Sequence, residues 1–202
     1  MPSRTSSVCL LVSGGLDSGL LVHRYLSRKV RVVPVYLRCG LSWEFVELQH
    51  LRRFLRCVRT PALSPLQIID VPLRGVYGGH WSLRGRGVPG PRSADAAVYL
   101  PGRNVLLLTA AAIVCARQHL STIAIGILKS NPFGDATPHF CAALAAVLDQ
   151  ALAHPIRIVM PLSTMSKAAA VRAARDVPLG LTFSCLRPQG MRHCGRCNKC
   201  AE

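Results

Sequence analysis

The stretch Val8-Cys9-Leu10-Leu11-Val12-Ser13-Gly14-Gly15-Leu16-Asp17-Ser18-Gly19-Leu20 decides the fold. Val8 to Val12 is a short, wholly apolar run, as expected of a strand buried on both faces, and Ser-Gly-Gly cuts it off. From Leu16 to Arg28 the apolar residues Leu16, Leu20, Leu21 and Tyr25 recur near helical spacing. A strand that turns directly into a helix sets the helix's unpaired N–H groups and partial positive charge at the strand's carboxyl end, a natural seat for phosphate. The two glycines permit a tight turn with inward-pointing amides, and Ser13 and Ser18 add hydroxyl donors. Asp17 is the odd member. A carboxylate beside a polyphosphate repels it unless a divalent cation lies between them, so magnesium (Mg2+) is expected here. A bare Gly-Gly turn would be no more than the start of a helix; the whole string is what points to a nucleotide. The loop lacks the Gly-Lys-Ser/Thr of a Walker A motif and the Gly-x-Gly-x-x-Gly of a dinucleotide fold.

Outward from this turn, strand and helix signals alternate. Strands are expected over Val30–Leu37, Leu66–Val71, Ser121–Ile127 and Ile156–Met160. Helices are expected over Trp43–Val58, from an Asn104 cap to about His119, over Pro138–Leu152 and over Ser166–Arg175. Between Gly75 and Gly102 the chain has seven glycines and three prolines and reads as a long loop, which in a compact domain tends to be functional. The alternation implies an open parallel α/β sheet with helices on both faces, Rossmann-like, with ligands at the carboxyl ends of its strands.

Composition narrows the function classes. Half of the 202 residues are hydrophobic and 17% are charged, which excludes a mainly disordered chain. The longest apolar run, Val105 to Ala116, is twelve residues, too short to cross a bilayer. The opening residues carry Arg4 and then an apolar stretch, but no small-residue cleavage pattern, so a cytoplasmic protein is expected. The 25 basic residues outnumber the 9 acidic ones by 25 − 9 = 16, an excess that attracts polyanions. The basic residues are scattered and aromatics make up only 5% of the chain, so a dedicated nucleic-acid surface is possible but not favoured.

Nine cysteines is an odd number and argues against a disulfide framework. Cys9, Cys39, Cys57, Cys115 and Cys141 lie singly in apolar or helical stretches and read as small core residues. The other four fall into Cys185-x8-Cys194-x2-Cys197-x2-Cys200, with Gly190 and Gly195 to let the backbone wrap an ion. Tetrahedral zinc (Zn2+) is the expected occupant, with an iron–sulfur cluster as the rival. Four protein ligands close the site, so its role is structural. This divides the chain into an α/β domain over residues 1–183 and a metal-binding segment over 184–202.

The Ser-Gly-Gly-Leu-Asp-Ser string resembles the signature of the PP-loop ATP pyrophosphatases. Together with Thr182-Phe183-Ser184-Cys185 and His193-Cys194-Gly195-Arg196-Cys197-Asn198-Lys199-Cys200, it is similar to the 7-cyano-7-deazaguanine synthase (ExsB) family of the queuosine pathway. Leu100-Pro101-Gly102-Arg103-Asn104, Ser166-Lys167 and the segment from Asn131 to Phe140 are similar to three further family stretches, in the right order. The resemblance implies an adenine nucleotide alpha hydrolase fold and ATP-dependent conversion of 7-carboxy-7-deazaguanine and ammonia to a nitrile. It also implies a homodimer. Val12, Ser13, Gly14, Gly15, Leu16, Asp17, Ser18, Gly19 and Leu20 would then bind ATP. Asp17 would hold magnesium, Arg103 and Lys167 would neutralise phosphate charge, and Phe133 and Asp135 would meet the substrate.

The chain departs from the family in places. Gly126 to Phe133 lacks the usual acidic pair, His139 replaces a common acid, and Tyr36-Leu37-Arg38-Cys39-Gly40 replaces the usual end of the second strand. Two residues follow Cys200, where the family usually continues with a basic helix. Other readings are a PP-loop ligase acting on a different deazapurine or on a macromolecule, a tRNA-modifying PP-loop enzyme, which would need a reactive cysteine such as Cys39 or Cys115, and a nucleic-acid-binding zinc module.

Overall fold

Five short apolar runs pair side by side in one direction, because each is followed by a helix that carries the chain back before the next strand begins. The structure is a computed structural model and describes residues 6–202, so Arg4 lies outside the described residues. The strands are β1 (Ser7–Leu11), β2 (Arg31–Arg38), β3 (Gln67–Asp70), β4 (Thr122–Ala124) and β5 (Arg157–Val159). They form one sheet in the order β3-β2-β1-β4-β5, and every neighbouring pair is parallel. The order reverses direction between β1 and β4, and a crevice opens there at the strands' carboxyl ends.

The helices are α1 (Leu16–Ser27), α2 (Glu44–Cys57), α3 (Arg74–Tyr77), α4 (Trp81–Arg84), α5 (Arg103–Arg117), α6 (Pro138–Leu152), α7 (Lys167–Arg172) and α8 (Asn198–Ala201). Side chains alternate across each strand, so β1 and β2 feed two separate cores. Cys9, Leu11, Val33, Val35 and Leu37 face Leu108, Ala111 and Cys115 of α5 and Ala145 of α6. Val8, Leu10, Val12, Val32 and Tyr36 face Leu21 of α1, Leu51 and Phe54 of α2 and Ala170 of α7. Both sheet faces are therefore covered, and the expected α/β architecture stands.

Four expectations need correction. The stretch from Gly75 to Gly102 is not all loop: it holds α3, α4 and a 3-10 turn over Asp95–Val98, each too short to leave a periodic pattern. Asn104 does not cap α5. The helix begins at Arg103 after Gly102 at φ 73°, and Asn104 turns its side chain to Asp135 instead. The fourth strand ends at Ala124, well short of Ile127, because the chain leaves the sheet to pass the turn that precedes α1. Cys57 is exposed at the end of α2, while Cys9, Cys39, Cys115 and Cys141 are buried.

Candidate functional site

The Ser13–Ser18 turn is built by close approaches that only glycine allows. Gly14 sits at φ 77°, and a Cβ there would stand 3.2 Å from the Glu47 carbonyl oxygen and from Leu51 Cβ. Its carbonyl accepts a hydrogen bond from the Phe183 N–H at 2.8 Å. Ser18 Oγ donates to the Gly15 carbonyl at 3.0 Å, and the Gly15 N–H donates to Ser13 Oγ at 3.3 Å. On the far side, a Cβ on Gly126 would come within 2.9 Å of the Asp17 backbone, so the segment after β4 presses directly on the turn.

The turn opens onto a cavity of about 460 Å³, within the range of small-molecule sites. Val12, Ser13, Gly15, Leu16, Asp17 and Ser18 line it; Gly14, Gly19 and Leu20 are buried behind it. The same cavity gathers Arg103, Lys167, Phe133 and Asp135, four residues from three distant parts of the chain. Burial pushes the Asp17 carboxyl up to about 6, against the pull of Lys167; Glu202 raises it further and Lys199 lowers it. A partly buried carboxylate in the first turn of α1 has a use for a cation, so the donor set fits magnesium.

Arg103 enters at the start of α5 and lines the cavity; its Nε is buried with no hydrogen-bond partner, and its positive charge acts on Glu47 and Cys39, lowering the proton affinity of both. Asp135 is buried and already engaged: the Asn104 N–H donates to Oδ2 and Asn104 Nδ2 to Oδ1, both at 3.2 Å. Its remaining lone pairs are what it can offer a ligand. Phe133 stacks on Tyr99 with ring centroids 4.6 Å apart, a flat aromatic wall. Lys167 follows Ser166, whose Oγ accepts from the Ala169 N–H and caps α7. His139 is exposed and outside the cavity.

Cys185, Cys194, Cys197 and Cys200 bring their sulfurs within 4.8 Å of one another. Zinc–sulfur bonds of about 2.3 Å in a tetrahedron require sulfurs roughly 3.8 Å apart, and the separations of 3.4 Å for Cys197–Cys200, 3.9 Å for Cys194–Cys200 and 4.0 Å for Cys185–Cys197 bracket that. The N–H groups of Arg187 and Cys194 donate to Cys185 Sγ, that of Arg196 to Cys194 Sγ and that of Leu186 to Cys197 Sγ, which favours thiolates. The donor set fits zinc. His193 stands 3.9 Å from Cys200 Sγ and lies against Phe183 instead of completing the set.

A family model described as queuosine biosynthesis protein QueC matches residues 7–202, from the first residue of β1 through the four cysteines. The chain belongs to the QueC family. Among its relatives are proteins named 7-cyano-7-deazaguanine synthase. One from Desulfitobacterium hafniense is 29% identical, covering 98% of this chain and 89% of its own, and one from Agrobacterium fabrum is 30% identical, covering 96% and 84%. Solved structures share the fold. A predicted subunit of tRNA methyltransferase from Methanocaldococcus jannaschii matches with a TM-score of 0.54 at 15% identity, over 84% of this chain and 74% of that one. A 4-thiouridine synthetase–RNA complex with bound ATP also gives 0.54, at 18% identity, over 91% and 46%. The likeness to these structures is one of fold.

This QueC chain carries site residues that motif reading missed. Glu47 lines the cavity from α2, accepts the Tyr36 hydroxyl hydrogen bond at 2.8 Å and is buried. Burial pushes its carboxyl up to about 7 against the Tyr36 hydrogen bond and the nearby Arg103. The signal was available: Glu47 lies four residues before Leu51 and seven before Phe54, on a stripe that should be apolar. Glu44, also buried, accepts the N–H groups of Cys39 and Gly40 at 2.6 and 2.9 Å and so shapes the turn after β2. Cys39 and Cys115 do not line the cavity, and burial raises the Cys39 thiol to about 11, far from a reactive thiolate.

Proposed function

We propose that this chain is a 7-cyano-7-deazaguanine synthase, converting 7-carboxy-7-deazaguanine and ammonia to the nitrile at the expense of ATP. The observation that carries the reading is the convergence, in one cavity, of the Ser-Gly-Gly-Leu-Asp-Ser turn with Arg103, Lys167 and an aromatic wall, in a chain matched over residues 7–202 by the QueC family.

A carboxylate is a poor electrophile, since its leaving group is oxide. Its oxygen attacks the α-phosphorus of ATP, the bond to pyrophosphate breaks, and the acyl adenylate has AMP as a good leaving group. Ammonia attacks the carbonyl carbon, a proton and AMP depart, and the amide remains. The amide oxygen is then adenylated in turn, and loss of AMP and a proton leaves the carbon–nitrogen triple bond. Negative charge on phosphate must be stabilised at every step. Ser13, Gly15 and Ser18 hold the polyphosphate, while Arg103 and Lys167 neutralise the charge that develops as it leaves. Asp17 would hold magnesium, which when bound would supply positive charge to offset that of the phosphates. Phe133 offers its free ring face to the flat heterocycle, and Asp135 accepts from its N–H groups. Glu47, with an affinity for protons near neutrality, takes up the proton shed by the attacking amine.

Residues 184–202 act as a metal-held staple on the 1–183 domain, with zinc in a closed, non-catalytic role. The same reading includes a cytoplasmic homodimer, checked by its mass in solution. The decisive test is incubation with ATP, ammonium and a small panel of deazapurine carboxylates, followed by mass spectrometry. Formation of the free nitrile with release of AMP is expected. ATP consumption that no deazapurine carboxylate stimulates, or a product attached to tRNA, overturns the assignment.

A further inference from the structure

The four-cysteine knot is more than a staple by position, because it delivers two charged side chains into the cavity. Lys199 lies between Cys197 and Cys200 on α8, and both it and Glu202 line the same cavity as the Ser13–Ser18 turn. The Glu202 carboxylate bridges two ammonium groups. Lys167 Nζ meets Oε2 at 3.1 Å, and Lys199 Nζ meets Oε1. Two cations from separate elements thus converge on one oxyanion within reach of Asp17.

A carboxylate and a phosphoryl group make similar demands here: two oxygens about 2.2–2.5 Å apart, each wanting a donor, with the phosphoryl group carrying more charge. Lysine ammoniums are point charges with rotating donors and accept either partner without a fixed planar geometry. The ion pairs to Glu202 are partly solvent-exposed, with side-chain exposures of 39% and 36% for one and 29% and 36% for the other. Such pairs contribute little to folding and are easily exchanged for a stronger anion.

We propose that Lys199, carried by the four-cysteine knot, is a second polyphosphate-binding cation beside Lys167, and that Glu202 is the internal anion which the polyphosphate displaces. The inference rests on reading the cavity as the ATP site and deepens it. It assigns the knot a part in nucleotide recognition, and it gives the ligand-free site its own counter-charge.

Calorimetric titration of the full, zinc-loaded chain with inorganic pyrophosphate and with a non-hydrolysable ATP analogue tests it, with zinc content and circular dichroism measured on every variant. Lys199→Ala is expected to weaken both probes by about tenfold or more, the loss of one charge-assisted hydrogen bond, and Lys199→Arg to recover much of it. Glu202→Gln is expected to tighten both severalfold. Opposite signs from two members of one ion pair are what a merely structural pair does not produce. Wild-type affinity in Lys199→Ala, or weakening in Glu202→Gln, overturns the proposal while leaving the ATP reading intact. Absence of any binding by the wild-type chain overturns both. Glu202→Gln touches no sulfur ligand, so the test stands even where Lys199→Ala loses zinc.

Discussion

Glu47 is an acid on a stripe that α2 otherwise devotes to the core, and its burial has a thermodynamic sign. Its folded carboxyl titrates near 7, above the ordinary value of 4.5, so the folded state resists the charged form. The resulting destabilisation is absent below about pH 4.5, grows as pH rises, and is complete above about 7. Glu47→Gln keeps an acceptor for the Tyr36 hydroxyl and removes the charge. It is expected to stabilise the fold at pH 8 by on the order of 1–3 kcal/mol in urea unfolding, and to have no effect near pH 4.5, while slowing nitrile formation. Equal effects at both pH values would exclude a charge-burial cost. Asp17 carries the complementary dependence. With its carboxyl raised to about 6 it loses the ionised form as pH falls through that value, so the magnesium requirement of ATP turnover should steepen below about pH 6, read as a rising half-saturating magnesium concentration. Gly126→Ala places a methyl 2.9 Å from the Asp17 backbone, which cannot move aside as a flexible side chain can. A cost of about 1–3 kcal/mol is expected, with loss of ATP binding. Gly134→Ala, with nothing within 4 Å, is the neutral control. The turn was legible in the sequence because its glycines and Asp17 are contiguous. Gly126 was not, because it lies 109 residues from Asp17 and only the fold brings the two together; Glu47 showed itself as an acid on an apolar stripe, but not its place in a cavity shared with Asp17, 30 residues away.

The knot's influence on the cavity is an effect of elements, carried by backbone hydrogen bonds. Phe183, two residues before Cys185, holds the Gly14 carbonyl, and Asn198 holds the 75–102 segment by donating to the Pro89 and Ser93 carbonyls, each at 2.9 Å. Removing zinc with a chelator, or Cys197→Ser, should therefore loosen residues 13–18 and 89–93 as well as 184–202. Hydrogen exchange is the measure, with β3 and the outer half of α2 unchanged. Faster exchange confined to 184–202 would mean that the knot is independent of the site. The short strands were readable because each is an apolar, β-branched run, and the helices α1, α2, α5 and α6 because a run of twelve to fifteen residues establishes a period. α3, α4 and the turn over Asp95–Val98 are four residues each and leave none. Asn104 misled for a different reason. Asn before an apolar run is the ordinary sign of a helix cap, but here Gly102 takes the left-handed turn and frees the amide to lock Asp135.

At the scale of the molecule the dominant quantity is the formal charge of +16. Among the described residues only three ion pairs form, Arg38–Asp70, Lys167–Glu202 and Lys199–Glu202, all partly exposed. Salt consequently has little attraction to screen and a great deal of repulsion. Self-repulsion of like charges destabilises the compact state, and at about 0.15 M the screening length falls to about 8 Å. Raising sodium chloride from about 0.02 M to about 0.3 M should therefore raise the melting temperature, by about 2–4 °C for each kcal/mol of repulsion removed from a domain of this size. The opposite dependence is expected of polyanion binding. Attraction of nucleic acid to scattered arginines is non-specific and should vanish over the same salt range, and Asp17→Ala should leave it unchanged. ATP held by the turn should survive, because its donors are backbone amides, hydroxyls and side chains that line one cavity. A melting temperature that falls with added chloride would show that attractive pairs outweigh repulsion. Salt-resistant, Asp17-independent binding of RNA would move the positive charge from the background of this molecule to its function.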